Sequence, residues 1–473
     1  MSRPASSPTA STVPPLPTTA ERLPRPLRIL INRNFALLWA GQTVSVLGDA
    51  IFAITLVLWV ATRIARDQPW APLAVSGVLL ATIAPEFLVS PIAGVFADRW
   101  NRRRIMLAMD ATRAVLITLL VLATGVLPLP FVPGGHLPLI WQLGAIYGIV
   151  FLASVCSQFF NPALFAFIAT TVAEPQRARA SGLRQASASM AGLVGPALAA
   201  ALFFGVPLVW ALLLNALSFA VSFTAILAIR VPAGSPRDAA PHEPQEREGF
   251  LREFAAGLRF YFGNRILVTL LVTAVLTLLA FGSLNTLDLF FVTQNLHATA
   301  AFYAILASAQ GIGLLIGAIF AAAFAQRIGV ARVLGLSLLV WGLTILVYAR
   351  LTNVIPALAL MCLTGFLLST AQVAETPLLM HATPQEFLGR VSSVFVPALS
   401  GSELVGIALS GYLASTVLRD FHTTVIGINI GPVDTIFTAM GISLVAAGAY
   451  ALVNLRGVRL ARNTTGGVNG EGE

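Results

Sequence analysis

Three carboxylic acids interrupt long apolar runs of the sequence and are the first candidates for chemistry. Asp49, Glu86 and Glu403 each lie roughly 18–23 Å from one end of such a run, if the run forms a helix that rises 1.5 Å per residue. Ionisable side chains at that depth in a bilayer are costly and usually functional. A carboxyl group that loses its hydration favours its neutral form. We therefore predict that Asp49, Glu86 or both bind a driving proton, with Glu403 next.

Other polar side chains are predicted to share helical faces with these acids. Gln42 falls on the face of Asp49, and the fourth apolar run carries a polar and aromatic stripe that includes Gln158 and Asn161. Lipid does not tolerate such faces, so they should line a central cavity. For each acid the alternative is a structural hydrogen bond between helices. The full set of proton or substrate candidates is Asp49, Glu86, Glu403, Glu375, Asp288, Gln42, Gln158 and Asn161.

Asp110 and Arg113 are expected to pair with one another. They stand three residues apart in an apolar run, which places them on one helical face. Each offsets the cost of burying the other, so the pattern predicts an ion pair with a structural or gating role. Arg113 is the only arginine deep within an apolar run and is nearest in sequence to Asp110, so we expect Asp49 and Glu86 to lack a permanent cation.

The sequence lacks the motifs that a membrane-embedded enzyme would need. The histidines lie mainly in loops or at the ends of apolar runs, without H-E-x-x-H spacing, and no G-x-S-x-G elbow accompanies them. Cys156 and Cys362 lie within apolar runs and predict neither a disulfide nor a metal site. The chain has no lysine and no phosphate-binding loop, which argues against ATP-driven pumping. We predict no catalytic residue, no metal and no cofactor.

The elements that position these residues must cross a membrane. The chain has 473 residues, of which 57% are hydrophobic and only 10% charged, against about 25% charged in soluble domains. Twelve apolar runs are long enough to span a hydrocarbon core. They are predicted at 34–62, 72–97, 104–127, 138–168, 182–206, 208–230, 265–292, 299–326, 331–350, 354–380, 389–417 and 432–455.

Arginine indicates the orientation. If the runs cross in alternation, 24 arginines fall on the side of the termini and four on the other, with Arg113 inside a run. The positive-inside rule then places both termini in the cytoplasm. This asymmetry explains the positive net charge without nucleic acid as a partner. The prediction is a multi-pass protein of the bacterial inner membrane, monomeric, with the lipid bilayer as its surroundings.

The chain divides into six runs plus six. The predicted parts are a disordered tail (1–33), a six-helix bundle (34–230), a linker with an amphipathic helix (231–264), a second six-helix bundle (265–456) and a second disordered tail (457–473). Short matches recur in order in both halves. Asn-Arg precedes runs 1 and 7, and GLVGPALAAAL (192–202) matches ELVGIALSGYL (403–413). These matches predict an internal duplication.

A charged stretch, GVFADRWNRRRIM (94–106), separates the second run from the third. Its glycine, Asp-Arg pair and following arginines resemble the signature loop of the major facilitator superfamily, and FAQRIGVAR (324–332) is a degenerate copy in the second half. NRNFALLWAGQTVSVLGDAI (32–51), MDATRA (109–114) and GRVSSVF (389–395) resemble its branch of macrolide and enterobactin exporters. GLVGPALAA (192–200) loosely resembles the antiporter motif of span 5, although one residue is missing before the Gly-Pro pair. The residues concerned are Gly94, Asp98, Arg99, Arg102, Arg103, Gly192, Gly195 and Pro196.

The resemblance, which covers residues 32–456, implies an all-α membrane protein with twelve transmembrane helices in two pseudo-symmetric six-helix bundles. It implies that Asp98 meets the start of span 11, where a helix N-terminus stabilises a carboxylate. This contact would latch the halves on the cytoplasmic side. The alternative for Asp98 is a solvated pair with Arg102, and the alternative for the arginines is anchoring to lipid headgroups.

The predicted function is secondary active transport by alternating access. We favour proton-coupled efflux of a small amphiphilic compound such as a drug, siderophore or metabolite. The alternative is an importer or a facilitator without proton coupling. A membrane-embedded enzyme and a non-transporting sensor are remote alternatives.

Overall fold

The computed structural model describes residues 31–123, 138–229, 259–384, 387–425 and 428–457, and this part of the chain is almost entirely helical. Twelve of its helices are long and apolar enough to cross a membrane, which confirms the all-α membrane fold. They are α1 (Arg33–Trp59), α2 (Ala71–Arg99), α3 (Arg102–Ala123), α4 (Leu139–Thr171), α5 (Glu174–Gly205), α6 (Leu208–Ala228), α7 (Arg265–Gln294), α8 (Ala301–Ile328), α9 (Val330–Tyr348), α10 (Val354–Ala382), α11 (Leu388–Tyr412) and α12 (Pro432–Asn454). One π-helical turn extends α1 to Ile64 and another extends α11 to Val417.

The helices run back and forth between two sides of the molecule. We call the side where α1 begins and α12 ends the proximal side, and the opposite side the distal side. The Nε of Arg265, at the start of α7, donates to Oδ1 of Asn454 at the end of α12, at 2.9 Å. Both halves therefore begin on the proximal side. A short antiparallel hairpin, β1 (Thr423–Val425) and β2 (Ile428–Ile430), lies in the distal connection between α11 and α12.

The helix contacts of the first half recur in the second half, between the helices whose numbers are higher by six. In α1–α6, α1 packs on α5 and α6, α3 packs on α4 and α6, and α2 packs on α4. In α7–α12, α7 packs on α11 and α12, α9 packs on α10 and α12, and α8 packs on α10. The contacts between the halves obey the same relation, since α5 packs on α8 and α11 packs on α2. This is the packing that a duplicated six-helix unit would give.

The duplicated asparagines before α1 and α7 perform the same two tasks. Oδ1 of Asn32 accepts from the Phe35 amide at 2.7 Å, and Oδ1 of Asn264 accepts from the Ile266 amide at 2.9 Å. Each side chain thus caps a helix N-terminus. Each Nδ2 also donates to the end of the fourth helix of its own half, to the Thr171 carbonyl at 2.9 Å and the Ala382 carbonyl at 3.2 Å.

Contacts between the halves are concentrated on the distal side. The Leu73 amide donates to Oγ of Ser415 at 3.0 Å, and Oγ of Ser76 donates to the Ile407 carbonyl at 3.0 Å. Among the described residues these are the hydrogen bonds that join α1–α6 to α7–α12. The largest apolar cluster also includes both halves, whereas two smaller proximal clusters, around Phe35 and around Tyr261, each belong to one half.

One helix boundary differs by two turns from the sequence-based expectation. Helix α5 begins at Glu174, eight residues before the predicted 182, because Pro175 and the polar residues after it extend the helix beyond its apolar stretch. Hydropathy cannot detect such a polar extension. The predicted amphipathic helix in 231–264 lies mostly outside the described residues. Only 259–264 of it are described, and there Phe260 stacks on Phe387 with ring centroids 4.5 Å apart.

Candidate functional site

A buried polar network fills the middle of the first half. Arg113 and Asp110, both on α3, form an ion pair that is almost fully excluded from solvent. The second oxygen of Asp110 accepts from Oγ of Ser222 on α6 at 2.6 Å. Ser222 in turn accepts from Nε2 of Gln42 on α1 at 2.8 Å. The network therefore connects α1, α3 and α6.

Arg113 is enclosed by aromatic rings as well as by its acid. Its guanidinium carbon lies 4.3 Å from the ring centroid of Phe219 and 4.6 Å from that of Phe160, so both rings offer cation–π contacts. Its Nη1 donates to Ser157 on α4 at 3.3 Å. Its Nε is buried and has no hydrogen-bond partner among the described residues.

Asp49 belongs to the same network, which corrects one expectation. From the sequence, Arg113 should serve Asp110 alone and leave Asp49 without a cation. In the structure Asp49 interacts electrostatically with Arg113 and contacts the side chain of Asn215 on α6. Helices α1 and α6 approach closely here, because Gly48 of α1 lies directly against Ser218 and Asn215. One arginine therefore faces two acids.

Glu86 and Glu403 lie across the boundary between the halves. Glu86 is on α2 and Glu403 on α11, and their carboxyl groups interact electrostatically. Glu86 is exposed and Glu403 is half-buried. Thr82 and Ser90 share the exposed face of α2 with Glu86. These positions form an acidic surface between α2 and α11.

A cavity of about 200 Å³ separates the halves near Asp288. Its walls come from α1 and α5 on one side and from α7, α8 and α10 on the other. Oδ1 of Asp288 accepts a hydrogen bond of 2.6 Å from the hydroxyl of Tyr348. Asp288 is 5% exposed, so its burial is nearly complete. Nε2 of Gln310, which lines the same cavity, is buried and has no hydrogen-bond partner among the residues that the structure describes.

The predicted span-5 residues lie where α5 meets its neighbours. Gly195 packs on α1, and a Cβ on it would come within 2.6 Å of the Ala50 Cβ. Its counterpart in the duplicated sequence, Gly406, packs in the same way on the backbone of α7 at Leu279. Gly192 and Pro196 line the Asp288 cavity. Glycine is therefore required at 195 for close helix contact.

The charged loop between α2 and α3 contributes helix caps. Nη2 of Arg103 donates to the Leu227 carbonyl at 2.8 Å, and Nη1 of Arg102 approaches the Ala166 carbonyl at 3.4 Å. These carbonyls lie near the proximal ends of α6 and α4, where a cation is favoured. The backbone places Gly94, Asp98 and Arg99 in the last turns of α2, and their side chains lie outside those that the structure describes.

The remaining candidates are dispersed. Gln158 is half-buried and Asn161 exposed on α4. Glu375 on α10 has one buried carboxyl oxygen, Oε1, for which the described residues supply no hydrogen-bond donor. Among the described residues, no group of three His, Cys, Asp or Glu side chains could hold a metal ion.

Sequence reasoning missed the partners of the acids. Ser222, Asn215 and Tyr348 complete the two buried networks, and each lies in an apolar run among a few other polar residues. The available signal was the spacing of Asn215, Ser218 and Ser222, which places them on one face of α6. Such a polar face does not identify the distant helix that carries its partners.

The comparison with known proteins finds a transporter family and efflux proteins with similar sequences. A sequence-family model described as a transmembrane secretion effector of the MFS type matches residues 25–444. Macrolide efflux protein A of Streptococcus pyogenes is 23% identical over 386 residues, which cover 81% of this chain and 90% of that protein. The multidrug efflux pump Tap of Mycobacterium tuberculosis (strain ATCC 25618 / H37Rv) is 23% identical over 402 residues, which cover 81% of this chain and 87% of that protein.

Solved structures show the same fold. A bacterial homologue of the iron transporter ferroportin in an inward-facing state superposes with a TM-score of 0.67, at 14% identity, over 90% of this chain and 98% of that one. The nucleoside transporter NupG gives a TM-score of 0.64, at 12% identity, over 90% and 99% of the two chains.

Proposed function

Because the chain belongs to the transmembrane secretion effector family of the major facilitator superfamily, we propose that it exports a small amphiphilic solute in exchange for protons. The family and its relatives make the chain a multi-pass membrane transporter and not an enzyme. Export, proton coupling and an amphiphilic solute are the proposed part.

The distribution of contacts between the halves supports alternating access. Both hydrogen bonds between the halves, among the described residues, lie near the distal ends of α2 and α11. Towards the proximal side, acidic Glu86 is exposed between the halves. This conformation would admit solute from the proximal side, and rocking of the two bundles would then admit it from the distal side.

The proximal side is proposed to be cytoplasmic. The arginine asymmetry of the sequence favours this orientation through the positive-inside rule. Arg102 and Arg103 at the proximal ends of helices fit it as well. The membrane would then be the bacterial inner membrane and the described conformation inward-open. A cysteine at Ser235 should resist impermeant reagents in intact cells, and labelling there would overturn the orientation.

Proton coupling is proposed to use Asp49, Glu86 or both. Asp49 shares one arginine with Asp110, so the group of two acids and one cation carries an uncompensated negative charge unless one acid is protonated. Asp110 has both the ion pair and the Ser222 hydroxyl, which leaves Asp49 as the acid that gains most from a proton. Glu86 is the alternative, since its side chain is exposed at the boundary between the halves.

Efflux is favoured over import because the named relatives with similar sequences are efflux proteins. An importer, or a facilitator without proton coupling, is the alternative. Flux of a panel of fluorescent amphiphiles in proteoliposomes with an imposed pH gradient separates exchange for protons from transport without proton coupling. A pH gradient that drives accumulation supports exchange, whereas flux that ignores the gradient supports a facilitator.

The deciding variants are Asp49→Asn and Glu86→Gln. Neutralising the responsible acid should abolish uphill accumulation while downhill exchange continues. Glu174→Gln is the matched control, because Glu174 is an exposed acid in the first turn of α5. Uphill accumulation with an unchanged pH profile in both single variants and in the double variant would make these acids structural and move the test to Glu403.

A further inference from the structure

Within the described part of the chain, the cavity between the halves contains one acid, Asp288, that no arginine neutralises. Asp288 interacts electrostatically with Tyr303 and Tyr348, and no cation reaches it among the described residues. This differs from Asp49 and Asp110, which share Arg113. A buried carboxylate without a counter-ion is strongly disfavoured, so the site needs either a proton or a cation.

One face of Asp288 is free to bind. Oδ1 accepts from Tyr348, while Oδ2 has no hydrogen-bond partner among the described residues. The carboxyl group lines the cavity together with Tyr303, Asn285 and Gln310. The amide Nε2 of Gln310 is a donor that no acceptor in the described part of the chain meets. These groups offer one negative charge, an aromatic ring and a hydrogen-bond donor, while Ile54, Leu284 and Leu314 supply apolar wall.

The acids on neighbouring helices do not replace Asp288. Glu403 on α11 and Glu86 on α2 interact with one another instead. On α12, Asp434 accepts from its own helix cap at Gly431 and from Asn295. Glu375 on α10 interacts with Tyr261 on the proximal side. None of these acids lines the cavity.

We propose that Asp288 binds the positively charged nitrogen of an organic ammonium solute in this cavity, and that the solute and a proton compete for the same carboxyl group. A quaternary or protonated amine satisfies the carboxylate and gains cation–π contact with Tyr303. The apolar part of the solute fills the rest of the cavity, and a hydrogen-bond acceptor on the solute accepts from Nε2 of Gln310. When the cation leaves, a proton from water takes its place on the carboxylate. The inference rests on the proposed export function, for which it names the solute class.

Binding to the purified, detergent-solubilised full chain tests the proposal. The probe is radiolabelled benzyltrimethylammonium, a permanent cation with one aromatic ring, measured by equilibrium dialysis between pH 5.5 and 8.5. Its uncharged carbon analogue, neopentylbenzene, is the competitor. We expect saturable binding that weakens up to tenfold per pH unit on the acidic side, because protonated Asp288 has no charge to offer. We expect neopentylbenzene to compete poorly.

Two variants test whether the charge of Asp288 causes the binding of the probe and its pH dependence. Asp288→Asn should lose at least tenfold in affinity together with the pH dependence, whereas Asp288→Glu should keep the pH dependence. Asp434→Asn is the matched control, since it removes a buried acid of the same half outside the cavity. Size-exclusion profiles and thermal unfolding verify that each variant is folded.

The proposal fails if the wild-type protein does not bind the probe, or if folded Asp288→Asn binds it with unchanged affinity and pH dependence. Its failure is distinguishable from that of the export function. In proteoliposomes, pH-driven flux of uncharged compounds with no probe binding overturns the ammonium site and leaves export standing. Absence of any pH-driven flux overturns the export function instead.

Discussion

At the scale of single residues, Arg113 decides how charge is distributed in the first half. It is 4% exposed, paired with Asp110 and within electrostatic reach of Asp49. A buried ion pair often adds little stability relative to an apolar pair, but removing one partner leaves an uncompensated charge. The network is therefore expected to be far more sensitive to single changes than to a paired change.

Arg113→Gln should lower the free energy of unfolding by about 3–5 kcal/mol, because it leaves Asp110 buried without its cation. Asp110→Asn should be costly for the converse reason. The double variant should cost less than the sum of the single variants, measured by thermal unfolding in detergent. Arg419→Gln is the matched control, since the Arg419–Asp420 pair is exposed and such pairs contribute little. Strict additivity of the two buried changes would contradict the network.

At the scale of elements, the asparagine that precedes each half has two roles. Asn32 and Asn264 both cap a helix and hold the end of another helix. Asn353 caps α10 in the same manner, with Oδ1 accepting from the Ile355 amide at 2.9 Å, but it has no hydrogen bond to a distant helix in the described part of the chain. Comparing the three residues therefore separates the stability contributed by the helix cap from that contributed by the hydrogen bond to a second helix.

Asn353→Ala should cost about 1 kcal/mol, the usual value of a lost cap. Asn32→Ala and Asn264→Ala should each cost about 1 kcal/mol more, because a second hydrogen bond is lost. Thermal unfolding of the three variants under identical conditions provides the comparison. Equal losses at all three positions would mean that the contacts to α4 and α10 add no stability.

The helices themselves could be predicted from the sequence more fully than their contacts. Twelve apolar runs identify twelve helices because a bilayer requires that length of apolar chain. The start of α5 at Glu174 could not be predicted, since a polar helical extension has no hydropathy signal. The approach of Arg113 to Asp49 could not be predicted either, because it depends on how α1, α3 and α6 pack and not on spacing along one helix. The role of Asp98 stays a prediction.

At the scale of the whole molecule, transport requires the halves to separate where they now touch. Ser76 on α2 lies against Gly411 on α11, where a Cβ on the glycine would come within 2.8 Å of the Ser76 Cβ. The same helices carry Glu86 and Glu403 further towards the proximal side. This pair of helices is therefore expected to open and close at each end in turn.

A disulfide between Leu73→Cys and Ser415→Cys should stop transport reversibly, because the Leu73 amide already lies 3.0 Å from Oγ of Ser415. The cross-link would hold the distal ends of α2 and α11 together, so the solute could enter from the proximal side but not leave. Cys156 and Cys362 are first replaced by alanine, and each single cysteine is a control. Flux in proteoliposomes is measured with oxidant and again after reduction. Undiminished flux through a fully cross-linked protein would contradict alternating access at this site.

Asp98→Asn should slow or stop transport while insertion into the membrane continues. The change keeps the size of the side chain and removes the charge that a helix N-terminus would stabilise, an effect of about 0.3–1 kcal/mol when exposed and up to about 2 kcal/mol when partly buried. Flux is compared at equal protein levels. Normal flux would refute a latch between the end of α2 and the start of α11.

The separate proximal clusters carry a consequence for biosynthesis. Because the clusters around Phe35 and Tyr261 each belong to one half, and each half closes its first helix with its own asparagine, neither half needs the other to organise its proximal end. Two genes, one encoding residues 1–240 and the other 241–473, should therefore yield fragments that insert independently and reassemble into an active transporter through their shared distal surface.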